Sequence, residues 1–103
     1  MADTDNITWL MNWYSAQCND DWEHQYGVHI DTLDNPGWLI DIDLSETALE
    51  TQIYSTVDNL KADASWWYCT VEKNQWRARC GPNDLTTVIG LFRDWAESVE
   101  SST

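Results

Sequence analysis

Two adjacent runs of the chain, Tyr26 to Thr32 and Trp38 to Leu44, alternate apolar and polar residues, and Asn35-Pro36-Gly37 lies between them. A period of two belongs to a half-buried strand, so Tyr26, Val28, Ile30 and Thr32 should share one face and Trp38, Ile40, Ile42 and Leu44 another. Pro and Gly at the join are turn chemistry, since Pro restricts one φ and Gly tolerates a positive one. A slip of one residue would turn every side chain to the wrong face, so only pairings with an even sum of numbers are allowed. The expected register sets Asp34 against Trp38, Thr32 against Ile40, Ile30 against Ile42 and Val28 against Leu44. The other face then brings Asp31 to Asp41 and His29 to Asp43, although like charges opposed on a sheet cost about 0.2–1 kcal/mol. An arrangement with that cost leaves two readings of the acidic face: a candidate docking surface for a basic partner, or a merely solvated face.

The period changes on either side. From Asn6 to Cys18 the apolar residues Ile7, Leu10, Met11, Tyr14 and Cys18 recur at three and four, flanked by Trp9 and Trp13, which predicts an amphipathic helix capped by Asp5 or Asn6. Asn19-Asp20-Asp21 breaks it. Residues 45–50 read as a turn of helix or an irregular link, and Ile53 to Leu60 as a weak edge strand followed by a polar loop, Lys61 to Ser65. Trp66 to Glu72 and Gln75 to Cys80 form a second hairpin about Lys73-Asn74, with Val71 opposite Trp76, Cys69 opposite Ala78 and Trp67 opposite Cys80. Gly81-Pro82 ends that strand. Asn83 is the expected cap of a final helix whose stripe is Leu85, Val88, Ile89, Phe92, Trp95, Ala96 and Val99. The first few residues and the tail from Ser101 should be frayed.

These elements predict an α+β fold in one domain, 1–103: an antiparallel sheet of about five strands, with an N-terminal and a C-terminal helix packed on one face. The other face stays open and carries His29, Asp31, Asp41, Asp43, Arg77, Arg79 and Tyr68. The net charge is -13, and the first sixty residues hold twelve Asp or Glu and neither Lys nor Arg. Such a field repels nucleic acid and anionic membrane and speeds the capture of a cationic protein. Neither a signal peptide nor a membrane span is legible, so a cytoplasmic protein is expected.

Catalytic readings are weak. His24 and His29 lie near Glu23 and Asp31, but no third partner or phosphate-binding loop joins them. Asp41 and Asp43 resemble a glycosidase pair without a cleft, and carboxylates on a flat sheet seldom hold a metal. Cys18, Cys69 and Cys80 lack CxxC spacing and sit at predicted packing positions, so they read as reduced core thiols rather than nucleophiles or zinc ligands. Eight Trp and four Tyr against one Phe leave indoles to spare, and Trp22, Trp66 and Tyr68 are the expected interface anchors.

Trp9-Leu10, Trp13-Tyr14, Cys18, Asp21-Trp22-Glu23-His24, Tyr26-Gly27, the run from Ile30 through Asn35-Pro36-Gly37-Trp38, and Ile42-Asp43-Leu44 strongly resemble the immunity 53 family of bacterial polymorphic toxin systems. The similarity runs from about Ile7 to Ala96 and includes Gly81-Pro82 and Asp94-Trp95. It implies a small cytoplasmic protein that binds and neutralises a cognate toxin domain. It implies no enzyme and no cofactor, and it carries no catalytic residues across. A toxin with a basic surface, such as a nuclease, would suit the charge. The expected contacts are Trp22, Glu23, His29, Asp31, Asp41, Asp43, Trp66 and Tyr68, in a monomer or homodimer. The competing reading is a small acidic intracellular domain that binds or regulates another basic protein.

Overall fold

The computed structural model describes residues 5–60 and 65–101. The expected fraying of the first residues, most of the Lys61 to Ser65 loop, and the last two tail residues lie outside them. In chain order the elements are α1 (Asn6–Gln17), α2 (Trp22–Gln25), β1 (Val28–Leu33), β2 (Gly37–Asp43), β3 (Val57–Asn59), β4 (Trp67–Glu72), β5 (Gln75–Cys80) and α3 (Leu85–Ser101). The strands form one antiparallel sheet in the order β1-β2-β5-β4-β3, with α1 and α3 on one face, as the pattern predicts.

The core lies between the sheet and the helices. Ile40, Ile42, Cys69, Trp76, Ala78 and Cys80 face Leu10 and Trp13 of α1 and Val88, Ile89, Phe92 and Ala96 of α3. Phe92 is the hub, with ring centroids of Trp13 at 5.2 Å, Trp76 at 5.0 Å and Trp9 at 5.9 Å, in tilted and edge-on contacts that suit aromatic quadrupoles. At the outer end of the helix pair, Asn6 Nδ2 donates to the Thr86 carbonyl at 2.9 Å, and the Arg93 guanidinium lies 5.9 Å from the Trp9 ring.

The second hairpin has the expected register, with Val71 opposite Trp76 and Tyr68 opposite Arg79. Its two turn residues, Lys73 and Asn74, both have positive φ, the geometry that matches strand twist in a two-residue loop. The first hairpin keeps its expected faces but is displaced by two residues: Leu33 pairs with Gly37, Thr32 with Trp38, Ile30 with Ile40 and Val28 with Ile42. Consequently His29 lies opposite Asp41 and Asp31 opposite Leu39, which removes the predicted Asp31-Asp41 and His29-Asp43 pairs. The reason lies in Gly37. It is not the positive-φ residue of the turn but the first residue of β2, where a Cβ would run into the Cys80 carbonyl oxygen and press on Trp66 at 3.3 Å. Close approach of β2 to β5 needs glycine there, so the turn is left to Asp34, Asn35 and Pro36, with a cis Asn35-Pro36 bond.

Three other boundaries differ from expectation. The run before the first hairpin contains a helical turn, α2, built by exchange of hydrogen bonds: Glu23 accepts from the N–H groups of Asn19 and Asp20, and Asn19 Oδ1 from those of Asp21 and Trp22. The edge strand is shorter than its pattern, since only Val57–Asn59 pairs with β4. At the start of α3, Asp84 rather than Asn83 directly precedes the helix.

Candidate protein-binding site

On the open face of the sheet, the β2–β5 and β4–β5 registers set Asp41 beside Arg77 and Tyr68 beside Arg79. Asp41 Oδ1 accepts from Arg77 Nε at 3.3 Å and from Arg79 at 3.0 Å, and Arg77 also reaches Glu72 at 3.2 Å. Asp41 holds the Arg77 guanidinium above its ordinary pKa, through that hydrogen bond first and charge second. Its own side chain is only 16% exposed. Asp43 is also engaged, accepting from the Gly27 N–H and from Gln75 Nε2 at 2.9 Å each. Thus the middle of the open face is a network of compensated charge, and the two acids expected to make it negative are structural members of it.

Exposed acid lies further out. Asp31 and His29 are exposed on β1, and Asp31 Oδ1 accepts from the N–H of Thr32 at 2.8 Å. Glu23 lies at the helical turn, its carboxyl held below the usual range by backbone N–H groups, its own first and then those of Asn19 and Asp20. Tyr68 is partly exposed between Asp58 and Arg79 in the registers of β3 and β5. Trp66 is half-buried, close over Gly37. Trp22 belongs to a different class. It is 1% exposed, its indole N–H donates to the Ser45 carbonyl at 2.8 Å, and Trp13, Tyr14 and Tyr26 surround its ring. The reading of Trp22 as an exposed anchor is therefore corrected: it is a core residue that joins α2 to the chain after β2.

The apolar surface the sequence reading missed is on the helix side. The α1 stripe is wider than the face it buries: Leu10 and Trp13 turn into the core, whereas Ile7, Met11 and Tyr14 remain exposed, Met11 by 63%. With Tyr26, Val28 and Ile30 they line an open groove of about 440 Å³ between α1 and β1. The signal was present in the surplus itself, since five stripe residues and two flanking tryptophans exceed what one buried helix face accommodates.

The cysteines are free thiols, Cys69 and Cys80 buried and Cys18 half-buried with its Sγ donating to the Tyr14 carbonyl. Burial pushes the Cys69 thiol up to about 12 and Cys80 to about 11, the direction opposite to that of an activated nucleophile. Among the described residues, no three His, Cys, Asp or Glu are grouped to hold a metal ion, and no helix is long and apolar enough to cross a membrane.

Among known families, the model described as Immunity protein 53 matches residues 7–97 of the chain. No curated protein matches the chain. No solved structure matches it either.

Proposed function

The chain belongs to the immunity protein 53 family, and from that premise we propose that it binds and neutralises a cognate bacterial toxin domain with a basic surface, of nuclease type, by direct contact. The observation that carries the charge argument is its asymmetry. The segments through β2 contain acids and no Lys or Arg, whereas among the described residues the cations Lys73, Arg77, Arg79 and Arg93 belong to β5, its preceding turn and α3. An uncompensated acidic edge steers a basic partner, raising association rates by roughly 10–10³ at low salt.

In this reading Asp31 and Glu23 present the acidic edge, His29 is a polar contact on the same strand as Asp31, and Tyr68 and Trp66 offer aromatic contact. Asp41 and Asp43 act through the arrangement they hold. The protein works by occupying its partner and not by turning over a substrate. It acts in the cytoplasm of the cell that makes the toxin.

The test is growth of bacteria that express the C-terminal domain of the toxin encoded beside this gene. Co-expression of this protein should restore growth, and the two should co-purify as one species. Continued killing in the presence of soluble, folded protein would overturn the assignment to that toxin.

A further inference from the structure

The groove between α1 and β1 is built on the same strand that forms one unpaired edge of the sheet. Among the described residues no strand lies outside β1. The N–H of Asp43 donates to the Gly27 carbonyl at 3.0 Å, which places the 27/43, 29/41, 31/39 and 33/37 pairs in hydrogen-bonded register. The intervening residues Val28, Ile30 and Thr32 must then direct their backbone groups away from β2. Thr32 shows it directly, since its N–H is turned to the Asp31 carboxylate. Val28 and Ile30 therefore combine two properties: outward main-chain donors and acceptors, and apolar side chains that form one wall of the groove.

From this we infer that β1 accepts an extended segment of a partner as a sixth strand, with one row of its side chains seated in the groove beneath Ile7, Met11 and Tyr14. The inference rests on the reading of the chain as a toxin-binding protein and names the place and form of the contact. A strand laid beside β1 at the usual spacing of about 4.8 Å alternates its side chains between two faces. Toward α1 it meets the groove of Ile7, Met11, Tyr14, Val28 and Ile30, which His29 also borders. Toward the open face it meets His29 and Asp31. The complementary segment therefore alternates apolar residues with Lys or Arg.

Charge selects this occupant over a second copy of the chain. The elements that form the groove, α1, α2 and β1, contain no Lys or Arg, and a second copy would bring its own acidic edge and a further net charge of -13 against it. Asp31 fits the same role. Its carboxylate covers one free N–H of the edge and becomes available to a cation when an incoming carbonyl takes over that N–H.

Backbone amide exchange of the intact protein tests the proposal. It is recorded alone, with the toxin domain encoded beside the gene, and with a ten-residue peptide of alternating Val and Lys. Slower exchange at Val28 and Ile30 by about tenfold or more with either probe supports the strand addition. Met11→Arg, at an exposed groove position, should weaken that binding about tenfold or more while leaving the melting temperature unchanged. Toxin binding with protection confined to Tyr68, Thr70 and Arg77 would overturn the groove proposal and leave the immunity reading intact. Absence of protection at β1 with both probes also overturns it, and absence of toxin binding in the same series counts separately against the immunity reading. Protection of β1 in the protein alone, accompanied by dimerisation, would overturn the choice of occupant.

Discussion

Asp84 accepts through Oδ2 from the backbone N–H of Trp66 at 3.0 Å, tying the residue that precedes α3 to the residue that precedes β4. Its other oxygen accepts from Ser65 Oγ at 2.9 Å. Asp84 is buried, so these bonds replace the water that a carboxylate would otherwise keep. Asp84→Ala should cost about 1–3 kcal/mol, because it leaves the Trp66 N–H without its partner. Asp84→Asn, which keeps one carbonyl acceptor, should cost less. Urea unfolding of the three proteins checks the order, and equal midpoints for Asp84→Ala and the parent would show the tie to be energetically idle.

Trp22 supplies a second test of packing. Trp22→Phe should lose the hydrogen bond to Ser45 and part of the ring contact, for about 1–2 kcal/mol, whereas Trp22→Ala should lose about 3–5 kcal/mol. Thermal melts decide it. A residue acting only as a surface anchor would change binding and leave both melts alone.

Alkaline pH should loosen the fold before it reaches the arginines. Burial raises the Cys69 thiol from 9.0 to about 12, Cys80 from 9.0 to about 11 and Tyr54 from 10.0 to about 12. Between those limits the unfolded chain sheds protons that the folded chain retains, so it binds fewer, and unfolding becomes more favourable as pH rises. Their contribution is full below about pH 9 and declines from there to about pH 12. Urea midpoints measured from pH 8 to 11 should therefore fall, and Cys69→Ala should flatten the slope. In the folded state at pH 8, a thiol reagent should label Cys18 ahead of the two buried cysteines.

Charge variants separate the acids that steer from those that hold the sheet. Asp31→Lys combined with Asp34→Lys, both exposed, should slow toxin association about tenfold at low salt, with little change in stability. Asp41→Ala removes the shared acceptor of Arg77 and Arg79 and should cost about 1 kcal/mol, a value kept small by the partial exposure of the arginines. Stopped-flow association across a salt series, alongside melts, distinguishes them. An association rate unaffected by the double reversal would remove the acidic edge from the recognition mechanism.

The faces of the sheet were legible in the sequence because side-chain alternation survives any even shift, and that constraint also explains why the first register was not. Asp34 opposite Trp38 and Leu33 opposite Gly37 both set apolar against apolar and both leave a three-residue turn. What separates them is the contact between Gly37 and the Cys80 carbonyl, a relation between strands far apart in sequence. Lys73-Asn74 presented no such ambiguity, since its flanks permit one tight register. The candidate site divides similarly. Exposure of Asp31 and Tyr68 follows from their position in the strands, but the pairing of Asp41 with two arginines requires the β2–β5 adjacency, which no local pattern encodes. Trp22 was misplaced because a four-residue helix has too few positions to show a period.

The packing of α1 on α3 sets an order of events during synthesis. Trp9 and Trp13 need Phe92, and Asn6 needs Thr86, yet α3 begins only at Leu85. At roughly 5–20 residues per second, the ribosome takes several seconds to pass from one helix to the other. For that interval Trp13 has Trp22 but neither Trp9 nor Trp13 has the Phe92 ring, and the nascent chain carries apolar surface that α3 will later cover. The helix layer is thus complete only in finished molecules, when the last element made closes over the first.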